Sequence, residues 1–165
     1  EGYLFSSNLW YIREIIPKSS KEDVYDLLGI NKNNTNIKMI KDFLIINFTG
    51  KNNSIGLRVN NNFFLKKLQT NIRSNETLVN NIFEFLKQKK AIIDKDFSII
   101  VNVGPGSFSG IRISIAVAKG IKISKGSKLY GYKDQDLADF NPKNIKLLIK
   151  NKLIQNNLIK PVYLS

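Results

Sequence analysis

The sequence predicts an α/β fold with a mixed sheet, its elements ordered βββαβαβ. Three observations carry that prediction. Short apolar runs of strand length stand at 43–48, 54–59 and 63–69. Two longer segments, 77–90 and about 110–124, repeat their apolar residues at helical spacing. Two further apolar runs, 97–103 and 128–132, follow one after each helix.

The first three runs are joined by short connections rich in Asn and Gly, which favours an antiparallel meander. In the helix over 77–90, Leu78, Val79, Ile82, Phe83 and Leu86 form one apolar stripe, and Phe85 falls off it. Ser74 is the expected N-cap, and Glu76 sits at the positive end of the helix. The run 97–103 then enters three glycines and a proline, Gly104-Pro105-Gly106-Ser107-Phe108-Ser109-Gly110. Strand, glycine loop and helix is the arrangement that aims several backbone N–H groups at one point. The element order suits one RNase H-like lobe, the building block of actin-like and sugar-kinase-like folds. One more helix is expected over 143–155.

Three familiar loop motifs fail on spacing. A Walker A loop needs Gly-Lys-Ser/Thr, but Gly110 precedes Ile111 and Gly120 precedes Ile121. Gly104, Gly106 and Gly110 make G-x-G-x-x-x-G, one residue longer than the dinucleotide fingerprint. Phe108 occupies the place where a nucleophile elbow needs serine, and Ser107 and Ser109 are read as helix caps.

The stretch Gly104-Pro105-Gly106-Ser107-Phe108-Ser109-Gly110-Ile111-Arg112-Ile113-Ser114, followed by Ala118-Lys119-Gly120, resembles the signature of the bacterial TsaB family. Ser109 replaces the family's usual Thr, and Ser114 a usual Gly. Arg73-Ser74-Asn75-Glu76, the strand pair Phe43–Thr49 and Ser54–Leu57, Lys128–Tyr132 and the final Lys160-Pro161-Val162-Tyr163-Leu164-Ser165 also resemble family segments. The resemblance divides the chain into a divergent segment 1–41, an RNase H-like lobe 42–138 and a reduced remnant of a second lobe, 139–165. It implies a non-catalytic dimerisation subunit. Such a subunit supports a TsaD-like catalytic partner in making threonylcarbamoyladenosine in tRNA, with a TsaE-like ATPase as a further partner. On that reading ATP and metal belong to the partner subunits, this chain binds no cofactor alone, and tRNA is met indirectly. Self-association of the chain alone stays open.

The family's arrangement, in which the two helices meet their equivalents on a partner, implies an interface of Leu78, Ile82, Phe85, Gly110, Ser114, Ala118 and Lys119. The residues themselves leave two readings. Gly110, Ser114 and Ala118 lie at i, i+4, i+8 and would admit a partner helix closely, or they would pack on their own sheet. Ile113, Val117 and Ile121 are expected on the opposite, core face. Arg112 is read as an anion ligand, a carboxylate clamp or a staple for the loop, since a cation there opposes the helix dipole. Lys119 is read as a contact for an acidic partner or as a solvated lysine.

Composition bounds these readings. The chain has 165 residues, enough to bury a core within one domain. No apolar run has the length of a membrane span. It begins at Glu1 rather than Met, which reads as processing or truncation. Cysteine is absent, which excludes disulfides and suits a cytoplasmic protein. Histidine is absent too, which removes the commonest general base and metal ligand and the paired histidines of the TsaD type. The position where an actin-like ATPase keeps an acid is Asn47, a poor magnesium ligand. Lys and Arg number 26 against 13 Asp and Glu, a net +13. That excess reads as a nucleic-acid footprint or as compositional drift, the lysines being spread along a chain rich in Asn and Ile. Two alternatives therefore stay beside the scaffold reading: a phosphate or nucleotide site at Gly104–Gly110, and a basic RNA-binding module. Residues 1–41, with an aromatic-rich start and a short helix capped by Ser20 and stopped by Gly29, are read as a cover for the lobe or as an appendage.

Overall fold

A computed structural model describes residues 40–69 and 71–163; the expectations for the N-terminal segment lie outside the described residues. The strands are β1 (Phe43–Asn47), β2 (Ser54–Val59), β3 (Asn62–Lys67), β4 (Ser98–Asn102) and β5 (Lys128–Tyr132). The helices are α1 (Asn75–Gln88), α2 (Phe108–Lys125) and α3 (Pro142–Lys150), with a 3-10 turn at Asp134–Asp136. The sheet runs β3-β2-β1-β4-β5. Its first three strands pair antiparallel, whereas β4 runs parallel to both β1 and β5. This is the RNase H-like lobe expected from the element order.

Local chemistry sets the element ends. Ser74 Oγ accepts the Thr77 N–H at 3.2 Å and starts α1. Gly126 ends α2 in a left-handed conformation at φ 72°, its N–H bonded to Lys122 O. Strand β4 is buried along its whole length, as a continuous apolar run in the middle of a parallel arrangement should be.

Helices α1 and α2 pack side by side, and the sheet face toward them carries Leu44, Ile46, Ile55, Leu57, Ile99 and Val101. From α1, Leu78, Ile82, Phe85 and Leu86 meet this face, and Phe85 is only 3% exposed. The expectation that Phe85 lies off the core stripe is therefore corrected. Positions 78, 82, 85 and 86 fall on one side of the helix, while Val79 and Phe83 are half-buried at its edge.

The small-residue stripe of α2 is corrected in the same sense. Ser114 and Ala118 are fully buried and Gly110 is buried, beside Ile111, Ile115, Val117 and Ile121. Ile113, expected in the core, is half-buried. The burial of apolar area decides the helix's rotation. Turning 110, 114 and 118 outward would drag Ile111, Ile115 and Ile121 with them, at about 1.5–3 kcal/mol for each.

Helix α3 stops at Lys150 rather than near 155. Asn151 caps it and Lys152 turns left-handed at φ 57°. The chain then returns along the edge of the sheet, where Gln155 and Gly131 exchange backbone hydrogen bonds of 2.7 and 2.9 Å.

Candidate functional site at the strand ends

Asn47, Asn102 and Tyr132 are the last residues of β1, β4 and β5, the three mutually parallel strands. The carboxyl ends of parallel strands are where open α/β sheets place their ligands. The registers Ile46↔Val101 and Asn102↔Tyr132 put all three side chains on one sheet face, opposite α1 and α2. There they form one network. Asn102 Nδ2 donates to Asn47 Oδ1 at 2.7 Å and to Asp134 Oδ1 at 3.0 Å. Asn102 Oδ1 accepts the Gly104 N–H at 2.8 Å. The Tyr132 hydroxyl donates to Asn47 Oδ1 at 3.4 Å. Burial pushes the Tyr132 phenol far above its usual pKa; Asn102 pulls back against that, and the charge of Asp134 adds to it.

The glycine loop is built onto this network. Gly104 has φ +105°, and a Cβ there would meet Val162 O at 2.5 Å. Ser107 donates its N–H to Thr49 O at 2.7 Å, and its own hydroxyl accepts the Gly110 N–H at 3.3 Å. The Ile111 N–H reaches Ser107 O at 3.0 Å. Of the loop's N–H groups, those of Gly104, Ser107, Gly110 and Ile111 bind the chain's own oxygens. Gly110 is small because a Cβ would stand 2.8 Å from Phe48 O. Ser107 is the helix cap, and exposed Ser109 lies 3.5 Å from it, hydroxyl to hydroxyl. Pro105 and Gly106 complete the turn, half-buried against Thr49.

Arg112 is exposed and holds its guanidinium 5.0 Å from the centre of the Phe108 ring. Phe108 stacks in turn on Tyr163, with centroids 4.9 Å apart. The arginine therefore staples the start of α2 through a ring. Beside the stack, the Val162 N–H donates to Val103 O at 2.8 Å.

Of the residues proposed for a partner interface, only Lys119 is on the surface. Leu78, Ile82, Phe85, Gly110, Ser114 and Ala118 are inside the lobe, which corrects their placement. The outward face of α2 instead carries Arg112, Ala116, Lys119, Gly120 and Ile123, the last 84% exposed. Reading the sequence missed Asn102, Tyr132 and Asp134. The signal was there: Asn47 and Asn102 each break an apolar run just where a parallel strand ends.

The chemistry of this cluster is that of neutral amides with one carboxylate. Among the described residues no group of three or more His, Cys, Asp or Glu could hold a metal ion. The donor set does not fit a divalent cation either, because an amide NH2 lies between the oxygens that would have to ligate it. Past β5, Tyr132, Lys133, Asp136, Lys152 and Gln155 line a shallow cleft of about 190 Å³. None of the described helices is long and apolar enough to cross a membrane.

Fold and site thus define an RNase H-like lobe of the actin-like kind in which amides occupy the strand ends. No protein-family model matches the chain. It is 41% identical over 58 residues to the tRNA threonylcarbamoyladenosine biosynthesis protein TsaB of Buchnera aphidicola subsp. Baizongia pistaciae, covering 34% of this chain and 26% of that protein. The solved structure of YeaZ from Pseudomonas aeruginosa shares the fold at a TM-score of 0.53 and 17% identity, over 59% of this chain and 46% of that one. A second structure, of an uncharacterized protein with similarity to peptidase YEAZ from Pseudomonas aeruginosa, gives 0.52 and 17% over 59% and 45%. The chain is thus similar to TsaB over about a third of its length and shares the YeaZ fold, and it spans about a quarter of the length of the curated relative.

Proposed function

We propose that the chain is a non-catalytic dimerisation subunit that supports a TsaD-like catalytic partner in the threonylcarbamoyladenosine modification of tRNA. Two supports are general: the similarity to TsaB, and a strand-end cluster without the carboxylates of a phosphoryl-transfer centre. The single observation that carries the scaffold role is Gly120. It sits in the interior of an exposed helix face, and a Cβ added there would meet nothing within 4 Å. Nothing in the packing of the described residues asks for glycine there, and glycine in a helix interior costs about 1 kcal/mol relative to alanine. With Ala116 one turn earlier and Ile123 beside it, Gly120 makes a shallow strip against which a second helix can lie closely.

On this reading ATP and metal are held by the partner subunits, a TsaE-like ATPase among them, and tRNA is reached through the assembly. The test is association. The chain mixed with the TsaD-like protein of the same cell forms a complex, and Gly120→Arg removes it without unfolding the chain. A basic RNA-binding role keeps one observation in its favour, the exposed lysines 119, 122 and 125 along α2 in a chain of net charge +13. Steeply salt-dependent tRNA binding by the chain alone would favour that role.

A further inference from the structure

We infer that the Asn102 carboxamide stands in the place of a divalent cation, as a built-in bridge that holds the strand ends and the glycine loop together. A cation at such a centre draws together oxygens from separate strands. Here the two N–H groups of one amide do so, reaching Asn47 Oδ1 on β1 and Asp134 Oδ1 after β5 at 2.7 and 3.0 Å. The same amide's oxygen fixes the Gly104 N–H at 2.8 Å, so loop and strand ends share one anchor. Asn102 is 1% exposed, and no water-filled space is needed to complete its bonds. The cluster's one carboxylate, Asp134, is exposed and accepts from an uncharged donor, and that donor occupies the position between the oxygens that a metal ion would have to bridge. The loop is consequently held in one arrangement whatever the cation concentration. This inference is independent of any partner.

The geometry makes a signed prediction. Asn102→Asp replaces the NH2 by a charged oxygen facing Asp134 Oδ1 and Asn47 Oδ1, creating the oxygen cluster that a cation binds. Melting of the full chain is followed in EDTA and in millimolar Mn²⁺, and binding by Tb³⁺ luminescence with Tyr132 as the nearby sensitiser. The wild type is expected to melt identically in both buffers and to give no saturable Tb³⁺ signal. Asn102→Asp melts lower in EDTA and regains most of that loss in Mn²⁺; Asn102→Ala melts lower and regains nothing. Asn47→Asp, which adds an acid but keeps the bridging amide, folds and still binds neither ion. Saturable Mn²⁺ stabilisation or Tb³⁺ binding in the wild type or in Asn47→Asp would overturn the inference. So would a folded Asn102→Asp chain whose melting ignores Mn²⁺. Should Asn102→Asp fail to fold in either buffer, the wild-type and Asn47→Asp measurements decide alone.

Discussion

Tyr163 stacks on Phe108 with ring centroids 4.9 Å apart and planes 26° from parallel. Residues separated by almost the whole of α2, β5 and α3 thereby close over the glycine loop. Arg112 lies 5.0 Å from the same Phe108 ring, so the loop's first helical turn is gripped from within the helix and from the tail.

The stack is partly solvated, with Phe108 58% and Tyr163 44% exposed, so its contribution is modest. Tyr163→Ala is expected to lower stability by about 0.5–1.5 kcal/mol in urea unfolding. Phe108→Ala loses the cation–π contact as well and falls further, by about another 0.5–1 kcal/mol. The double variant should then be less destabilised than the sum of the singles, because both changes remove the same ring pair. Strict additivity would mean the stack contributes nothing.

Two arginine substitutions on α2 should part company. Ala118 is fully buried, so Ala118→Arg forces a charge and a long side chain into the core and lowers stability by more than about 3 kcal/mol. Gly120 is exposed, and Gly120→Arg is expected to raise stability by about 0.5–1 kcal/mol through helix propensity. Thermal melting of the two variants checks the orientation of α2. Equal destabilisation would mean that the helix is turned differently.

Tyr132 and Tyr130 both have their phenol pKa raised by burial. A raised acid stays protonated in the fold while the unfolded chain ionises near about pH 10, so stability is complete below that pH and declines above it. Tyr132, whose shift is the large one, adds a slope approaching about 1.4 kcal/mol per pH unit. Tyr132→Phe removes it, and its unfolding free energy should fall less steeply between roughly pH 10 and 11.5. Identical slopes for the two proteins would show that Tyr132 ionises freely in the fold.

Much of this architecture could be read from the residues, and the exceptions have physical causes. Strands β2 and β5 begin and end where their apolar runs do, and Ser74 caps α1 as its side chain suggests. Helix α2 misled because its apolar residues are not confined to one side: Ile113 and Ile123 stand beside the exposed Arg112, Lys119 and Lys122, and the small-residue line was read as the outward one. Only contact with the sheet chooses which of those residues are buried. Phe85 misled because a single stripe was drawn through Val79 and Phe83, which flank the buried side. The amide network was legible only as two asparagines that interrupt apolar runs, not as a set of partners. Asn47, Asn102 and Asp134 are far apart in sequence, and strand order alone brings them within bonding distance.

The scaffold role is tested most directly by light scattering coupled to size-exclusion chromatography, on the chain with its TsaD-like counterpart at micromolar concentrations. The account predicts a stable complex with the wild type, and a folded Gly120→Arg chain that elutes alone. Absence of any complex with the wild type, or a Gly120→Arg chain that binds equally well, would contradict it.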